Sequence, residues 1–356
     1  MKSSRIYLGM LAALALLLPS CGEPLFEYEG DCEVTHRIRF CYDMNLKWAD
    51  AFPSEVTSVN LYVFDGDGLF LKEYADAGEA LSQPGYSILL DLPAGDYKFV
   101  AWCGLVNAGA DRESFTVPRP EPGVTTVAEL TASLNTESDG VHASYSDARL
   151  DFLYHGYLEA RLEDKRDGTD YEYTIYLTKD TNHIRIILQE ISSDEDMRAE
   201  DYGIRIEAAN GVLSGYNDLL GESVVTYLPW WQGPAEVGVG KVDAADGSLK
   251  YVRGLVADLS VSRLMAEHRD ELMLVITDKT SPDEEVIVRV PLIQYALLSR
   301  TYYEAAYGHP LTEQELLDRE DEYVMTFFLY QNRWQDSYID IHQWRLVLHD
   351  YELGDD

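Results

Sequence analysis

The stretch LYVFDGDGLFLKEY, residues 61–74, decides the fold, because its acidic, glycine-rich tetrad is either a calcium loop or the turn of a β-hairpin. An EF-hand loop needs oxygen ligands at positions 1, 3 and 5, a glycine at 6 and a glutamate at 12. With Asp65 at position 1 and Asp67 at 3, Leu69 falls at 5, Phe70 at 6 and Asp76 at 12, so most of the ligand pattern is lost. A hairpin needs alternation on both sides and intervening residues that accept positive φ, which Asp-Gly pairs supply at small steric cost. Val59, Leu61 and Val63 alternate with Asn60, Tyr62 and Phe64, and Leu69 and Leu71 follow the turn. The stretch reads as a hairpin.

Outward from it the chain reads as a series of short strands. Residues 36–42 (HRIRFCY) place Ile38, Phe40 and Tyr42 on one face. Residues 86–92, 97–102, 148–154 and 155–162 follow, separated by turn residues such as PAGD at 93–96. Residues 163–170 (EDKRDGTD) are polar throughout and mark the candidate domain boundary. A second series runs through 171–177, 183–188, 203–208, 222–227, 272–276, 286–290 and 323–330, and closes at 338–348. Helices are expected at 259–269, with Leu264 and Met265 on one side, and after Thr312. There TEQE (312–315) fits a capping box, with Thr312 capping and Glu315 reaching back. The expected fold is all-β, two tandem antiparallel β-sandwiches with minor helical segments, over residues 32–165 and 166–356. No short repeat supports a solenoid or a propeller.

A chain of 356 residues is long enough for two such domains, and 46% apolar content gives each a core. Its 63 acidic against 28 basic residues leave a formal charge of −35. Such a chain repels nucleic acid and anionic lipid surfaces, because phosphate binding needs clustered Lys and Arg.

Residues 1–20 read as a lipoprotein signal peptide: Lys2 and Arg5 precede an apolar run, 6–18, too short for the ~20 residues that span a bilayer. Leu18-Pro19-Ser20-Cys21 resembles the bacterial lipoprotein cleavage box, in which the cysteine sulfur takes a diacylglycerol thioether. Cys21 is therefore the expected lipid attachment site, and residues 21–31 its tether. Two or three acyl chains hold a protein on a membrane where one alone binds only marginally. Removal of Lys2 and Arg5 takes the formal charge from −35 to −37. Cys32, Cys41 and Cys103 remain, in a compartment that permits a disulfide. Spacing does not separate the three pairings; Cys32 with Cys103 is the pairing carried forward, with a buried free thiol as its rival.

Little in the chain points to catalysis. The eight histidines show no zinc spacing, no CxxC occurs, and there is no GxSxG elbow, phosphate loop or dinucleotide fingerprint. Abundant carboxylates could always supply a glycosidase pair, and for that reason discriminate nothing. No enzyme activity, cofactor or metal is expected. Trp230-Trp231 can stack on a sugar ring, although packing, one ring in the core and one over an edge strand, is the preferred reading. The acidic run 193–196, followed by Glu200 and Asp201, reads as a solvated loop before it reads as a cation site.

The motifs in order resemble the fimbrial anchor and minor-subunit lipoproteins of Bacteroidales type V pili. They are the box ending at Cys21, the strand 36–42, YVFD at 62–65, PAGDYKFVAWCG at 93–104, FLYHG at 152–156, LTKDTNHIR at 177–185, LDREDEY at 317–323, TFFL at 326–329, and IDI at 339–341 before Trp344-Arg345. Cys41 has no place in that pattern. The resemblance implies two transthyretin-like sandwiches, lipid anchoring in the outer membrane, contact with pilin subunits, and attachment or length control of a fimbria. In that family, cleavage after a basic residue removes an N-terminal strand and opens a groove that a neighbour's strand fills. Arg37 and Arg39 lie where such a cut would fall, and the cut would sever the lipid at Cys21. A membrane-held member is expected to keep that strand. Residues 349–356 are too polar for a donor strand, which fits a terminal or basal subunit. The alternative function is a surface lipoprotein that binds glycans through Trp230 and Trp231.

Overall fold

The computed structural model describes residues 34–106, 113–164, 169–192, 197–221, 224–242, 249–341 and 344–348. The chain enters through β1 (Thr35–Cys41), passes the short helix α1 (Phe52–Glu55) and forms β2 (Ser58–Asp65) and β3 (Phe70–Ala77), which pair antiparallel. The tetrad at 65–68 is their turn. Asp65 Oδ1 accepts the backbone N–H groups of Asp67 at 3.0 Å and Leu69 at 2.9 Å, and Gly68 takes φ +85°, where a residue with a β-carbon is strained. The Asp65 carboxylate is thus committed to its own loop, as the hairpin reading requires.

The first half continues with β4 (Ser87–Leu89), β5 (Gly95–Cys103), β6 (Phe115–Thr116), β7 (Thr131–Leu134), β8 (Tyr145–Ser146), β9 (Tyr154–Leu162), β10 (Asp170–Tyr176) and β11 (Thr178–Lys179). Two sheets face each other, one ordered β10-β1-β4 and the other β11-β9-β5-β2-β3. Between them lie Ile38 and Phe40 of β1 with Tyr42 just beyond it, Val59, Leu61 and Val63 of β2, and Phe99, Ala101 and Cys103 of β5. The alternate residues of the same strands, Tyr62, Phe64, Val100 and Trp102, are buried on the opposite side, in a second core. That explains why β2 and β5 read as nearly continuous apolar runs.

The second half holds β12 (Thr181–Glu190), β13 (Tyr202–Ala208), β14 (Val212–Ser214), β15 (Val225–Tyr227), β16 (Trp231–Val242), β17 (Leu249–Ser262), β18 (Met273–Asp278), β19 (Glu285–Pro291), β20 (Glu322–Tyr330), β21 (Arg333–Ile341) and β22 (Trp344–Leu348). A six-stranded sheet, β16-β17-β12-β20-β21-β22, and a five-stranded one, β19-β18-β13-β15-β8, share a core that includes Ile184, Ile186, Leu259, Ile206, Leu274 and Phe327. A small sheet, β14-β7-β6, ties residues of the first half to the second. Helices α2 (Leu292–Leu297), α3 (Arg300–Tyr307) and α4 (Glu313–Arg319) connect β19 to β20. Thr312 Oγ1 accepts the Glu315 N–H at 3.0 Å, the expected N-cap, while Glu315 Oε1 is taken by Arg319 Nε at 3.1 Å.

Three expectations need correction, and the antiparallel fold class holds with three parallel strand pairs within it. The polar stretch at 163–170 is not where the strands change partner: β10 pairs in parallel with β1, β11 pairs antiparallel with β9, and the change comes at Asp180. Residues 115–153 also contribute Phe115, Leu130, Leu150 and Leu153 to the second core, so the halves interleave. The sheets are mostly antiparallel, yet β1–β10, β12–β20 and β8–β15 run parallel. No helix spans 259–269: Leu255, Ala257, Leu259 and Val261 enter the apolar core at a period of two as the end of β17, and only Ala266–His268 form a 3₁₀ turn.

Candidate functional site

Two of the sequence motifs, at 177–185 and 317–323, meet where the sandwiches join. Lys179 is buried, and its Nζ lies 2.8 Å from Glu55 Oε2 and 2.5 Å from Asp321 Oδ2, with the Phe152 ring centre 4.2 Å away. The next residue, Asp180, is wholly enclosed; its Oδ1 accepts Arg263 Nη1 at 2.7 Å and Asn217 Nδ2 at 3.0 Å. Arg263 Nη2 reaches Asp318 Oδ1 at 3.1 Å, so α4 and β17 are pinned to the chain leaving the first sandwich. Burial raises the Asp180 carboxyl to about 6, against the pull of Arg263.

The same helix grips the first sandwich from its other end. Arg319 Nη1 donates to the carbonyls of Asp43 at 3.0 Å and Asn45 at 3.3 Å, and its guanidinium lies 3.4 Å from the Trp48 ring centre. Tyr307 donates to the Leu46 carbonyl at 2.8 Å. Glu320 is buried, accepts the Tyr303 hydroxyl and, at 3.1 Å, the Glu322 N–H, and is pushed up to about 7 by burial. Removing one partner of such a buried pair costs about 3–5 kcal/mol, because it strands the other charge. The junction is a staple.

Beside it opens a cleft of about 340 Å³ on the outer side of β12, β17 and β20. Trp230 forms one wall, with the Arg149 guanidinium 5.5 Å from its ring centre. Arg185 on the floor is neutralised by Asp258, with Nε–Oδ1 at 2.7 Å and Nη2–Oδ2 at 2.9 Å. His183 Nδ1 pairs with Ser260 Oγ at 3.1 Å, and burial and then Arg149 lower the pKa of the ring. His183 Nε2 and Trp230 Nε1 are buried without a hydrogen-bond partner. Each such orphan costs about 1–3 kcal/mol in a closed structure.

The expected sites fall as follows. Trp230 and Trp231 do not form one platform: Trp230 lines the cleft, whereas Trp231 opens the edge strand β16, 43% exposed, its indole lying over Gly233. Cys21 and Cys32 lie outside the described residues. Cys41 and Cys103 are free thiols; burial and the nearby Asp50 and Asp43 raise Cys41 to about 11, and burial raises Cys103 further. Cys103 ends β5 opposite Tyr154, whereas β1 begins near Glu163, whose carbonyl meets His36 Nε2 at 3.1 Å, at the other end of the sheet. Nothing described brings Cys103 toward the segment that precedes β1. Residues 193–196 also lie outside; Glu200 and Asp201 beyond them are bridged by Arg198. Arg39 is exposed on β1 and lies 3.7 Å from Asp50. Among the described residues no group of three or more His, Cys, Asp or Glu is placed to hold a metal, and no helix is long and apolar enough to cross a membrane. Sequence reasoning missed Arg149 and His183, which no spacing pattern marks.

Interleaved β-sandwiches, stapled by buried ion pairs, define a mostly-β protein of several packed sheets. The chain belongs to the family "Fimbrillin-A associated anchor proteins Mfa1 and Mfa2", whose model matches residues 28–350. It is a family of structural fimbrial and adhesin proteins. Among solved structures, a candidate adhesin from Bacteroides thetaiotaomicron is 32% identical, with 87% of this chain and 96% of that one covered at a TM-score of 0.72. Another structure from that organism, described as candidate polysaccharide-binding proteins, is 28% identical over 89% of this chain and 99% of the other, at 0.70. The fimbrial anchor protein Mfa2 of Porphyromonas gingivalis shares the fold, at 19% identity, 90% and 100% coverage and a TM-score of 0.62. No curated protein matches.

Proposed function

We propose that the chain is a lipid-anchored subunit that attaches a fimbria to the outer membrane and contacts pilin subunits, without catalysis. The observation that carries this reading is the position of β1. It is the middle strand of its sheet, paired with β10 on one side and β4 on the other. Ile38 and Phe40 fill the core from it, at roughly 2 kcal/mol each. Cleavage after Arg39 would take residues 35–39, with Ile38 and most of the pairing to β10 and β4, out of the first sandwich, a sizeable loss against a total stability of about 5–15 kcal/mol. An uncut β1 keeps the fold continuous with Cys21, as an anchor needs. Pilin contact would use the exposed edges of the second sandwich, where an added strand gains a row of backbone hydrogen bonds. Deleting the gene is expected to release fimbriae into the medium or alter their length; unchanged length and attachment would count against the anchor.

A second reading, glycan binding at the surface, is favoured by Trp230, which lines a cleft with two unpartnered polar atoms. A relative described as polysaccharide-binding supports it. Retention of the protein on polysaccharide, lost in Trp230→Ala with the fold intact, tests it.

A further inference from the structure

We propose that Lys179 and Asp321 join in an intramolecular amide, an isopeptide bond, with Glu55 as the proton relay, so that the two sandwiches are linked covalently as well as by charge. This goes beyond the anchor reading and does not depend on it. The three groups come from three elements: Lys179 ends β11, Glu55 ends α1, and Asp321 immediately precedes β20. Lys179 Nζ lies 2.5 Å from Asp321 Oδ2 and 2.8 Å from Glu55 Oε2, so amine, acyl donor and relay are already in contact. Their backbones and side chains are held from outside the trio. The Asp321 carbonyl accepts the His183 N–H at 2.7 Å, the Asp180 N–H beside Lys179 donates to the Leu153 carbonyl at 2.7 Å, and Glu55 Oε2 accepts the Tyr154 hydroxyl at 3.1 Å. Groups fixed in this way react with effective molarities of about 10⁵–10⁸ M, which offsets the tendency of an amide to hydrolyse in water.

The surroundings suit the reaction. The Lys179 side chain is 5% exposed, and its Nζ faces three rings, with centres at 4.2 Å for Phe152, 5.4 Å for Tyr42 and 5.6 Å for Tyr154. Aromatic walls strip water from the ammonium, and a charge deprived of water is neutralised by passing its proton to the carboxylate beside it. That transfer leaves Lys179 as a nucleophilic amine and Asp321 as a carboxylic acid. The Nζ lone pair adds to Asp321 Cγ, Glu55 takes a proton from the nitrogen and returns it to the departing hydroxyl, and the C–O bond breaks as water leaves. Two ammonium protons and one carboxyl oxygen end in that water, Glu55 ends as the carboxylate it began as, and no oxidant or cofactor is consumed. The step is a single turnover of the chain on itself. The bond spans 142 residues and encloses β12 to β19 with α2 to α4. Tension between the start of the chain and β20 then runs through the amide and bypasses the enclosed strands.

The test is peptide mapping of the mature protein purified from cell membranes, denatured and digested with trypsin. The expected product is branched: residues 167–185, uncut at Lys179, joined to residues 320–333, with the mass of the two less one water. Glu55→Gln should lower the linked fraction roughly tenfold or more while thermal melting still shows a folded chain. Lys179→Arg, which keeps the charge, should give no link. On a denaturing gel the native chain, closed into a loop, should run ahead of both variants. Recovery from the native protein of 320–333 and of a peptide ending at Lys179, both unmodified, means an ion pair only and overturns the proposal. A link from Lys179 to Glu55 overturns the assignment of Asp321, and full linkage in Glu55→Gln overturns the relay.

Discussion

Glu320 sits enclosed at the junction with its carboxyl raised to about 7 from the ordinary 4.5, so the folded chain takes up a proton that the unfolded chain releases. Its contribution therefore favours folding as pH falls from about 7 toward 4.5 and penalises it above 7. Glu320→Gln removes that penalty. The variant should exceed the native chain by about 2 kcal/mol in denaturant titrations at pH 8, with the gap closing near pH 5. A gap independent of pH would show that Glu320 is not protonated on folding. His155 acts in the opposite sense: burial lowers it to about 3, and its Nε2–H donates to the Gly215 carbonyl at 2.9 Å. Its share of stability is complete above the unfolded value near 6.5 and is lost as pH falls toward 3. At Lys179, substitution by Met strands Glu55 and Asp321 and should cost about 3 kcal/mol, read by the same titration. Both ends of this network were visible as motifs, but their partnership was not. Lys179 and Asp321 stand 142 residues apart, and a single sequence carries no signal for contact at that range.

Among the elements, period-two alternation was sufficient wherever one strand face is apolar and the turns are strong. That covers β1, the β2–β3 hairpin, β5, β12, β13 and β18 to β20. It failed at β16 and β17, whose hairpin contains Gly233, Pro234, Gly238 and Gly240, residues that read as loop and are tolerated because β16 is an edge strand. The same weakness let the end of β17 pass for a helix, since four apolar residues in a short run fit either period. Two consequences of the elements can be measured. Millimolar calcium should leave the melting temperature unchanged, because the Asp65 carboxylate caps its own turn; a rise of several degrees would restore the calcium loop. An arginine-specific protease should leave Arg37 and Arg39 intact in the native protein, since cutting there requires β1 to leave the centre of its sheet. Rapid native cleavage would mean that β1 is easily withdrawn.

For the whole molecule, two sandwiches were legible from strand count and turn spacing, whereas their interleaving was not. The return of β10 and β11 to the first sandwich is set by long-range partners, and the polar turn at 163–170 resembled a linker because both linkers and tight solvent-facing turns are polar. The cleft was half visible: Trp230 stood out, while Arg149 and His183 join it only because the chain crosses between sandwiches there. An anchor of this kind must remain one continuous chain from its lipid to its core. The most direct measurement is mass spectrometry of the N-terminal peptide of the mature protein purified from cell membranes. The proposed function predicts an acylated Cys21 followed without a break by the residues of β1. A mature chain that begins after Arg37 or Arg39, or a Cys21 without lipid, would contradict it.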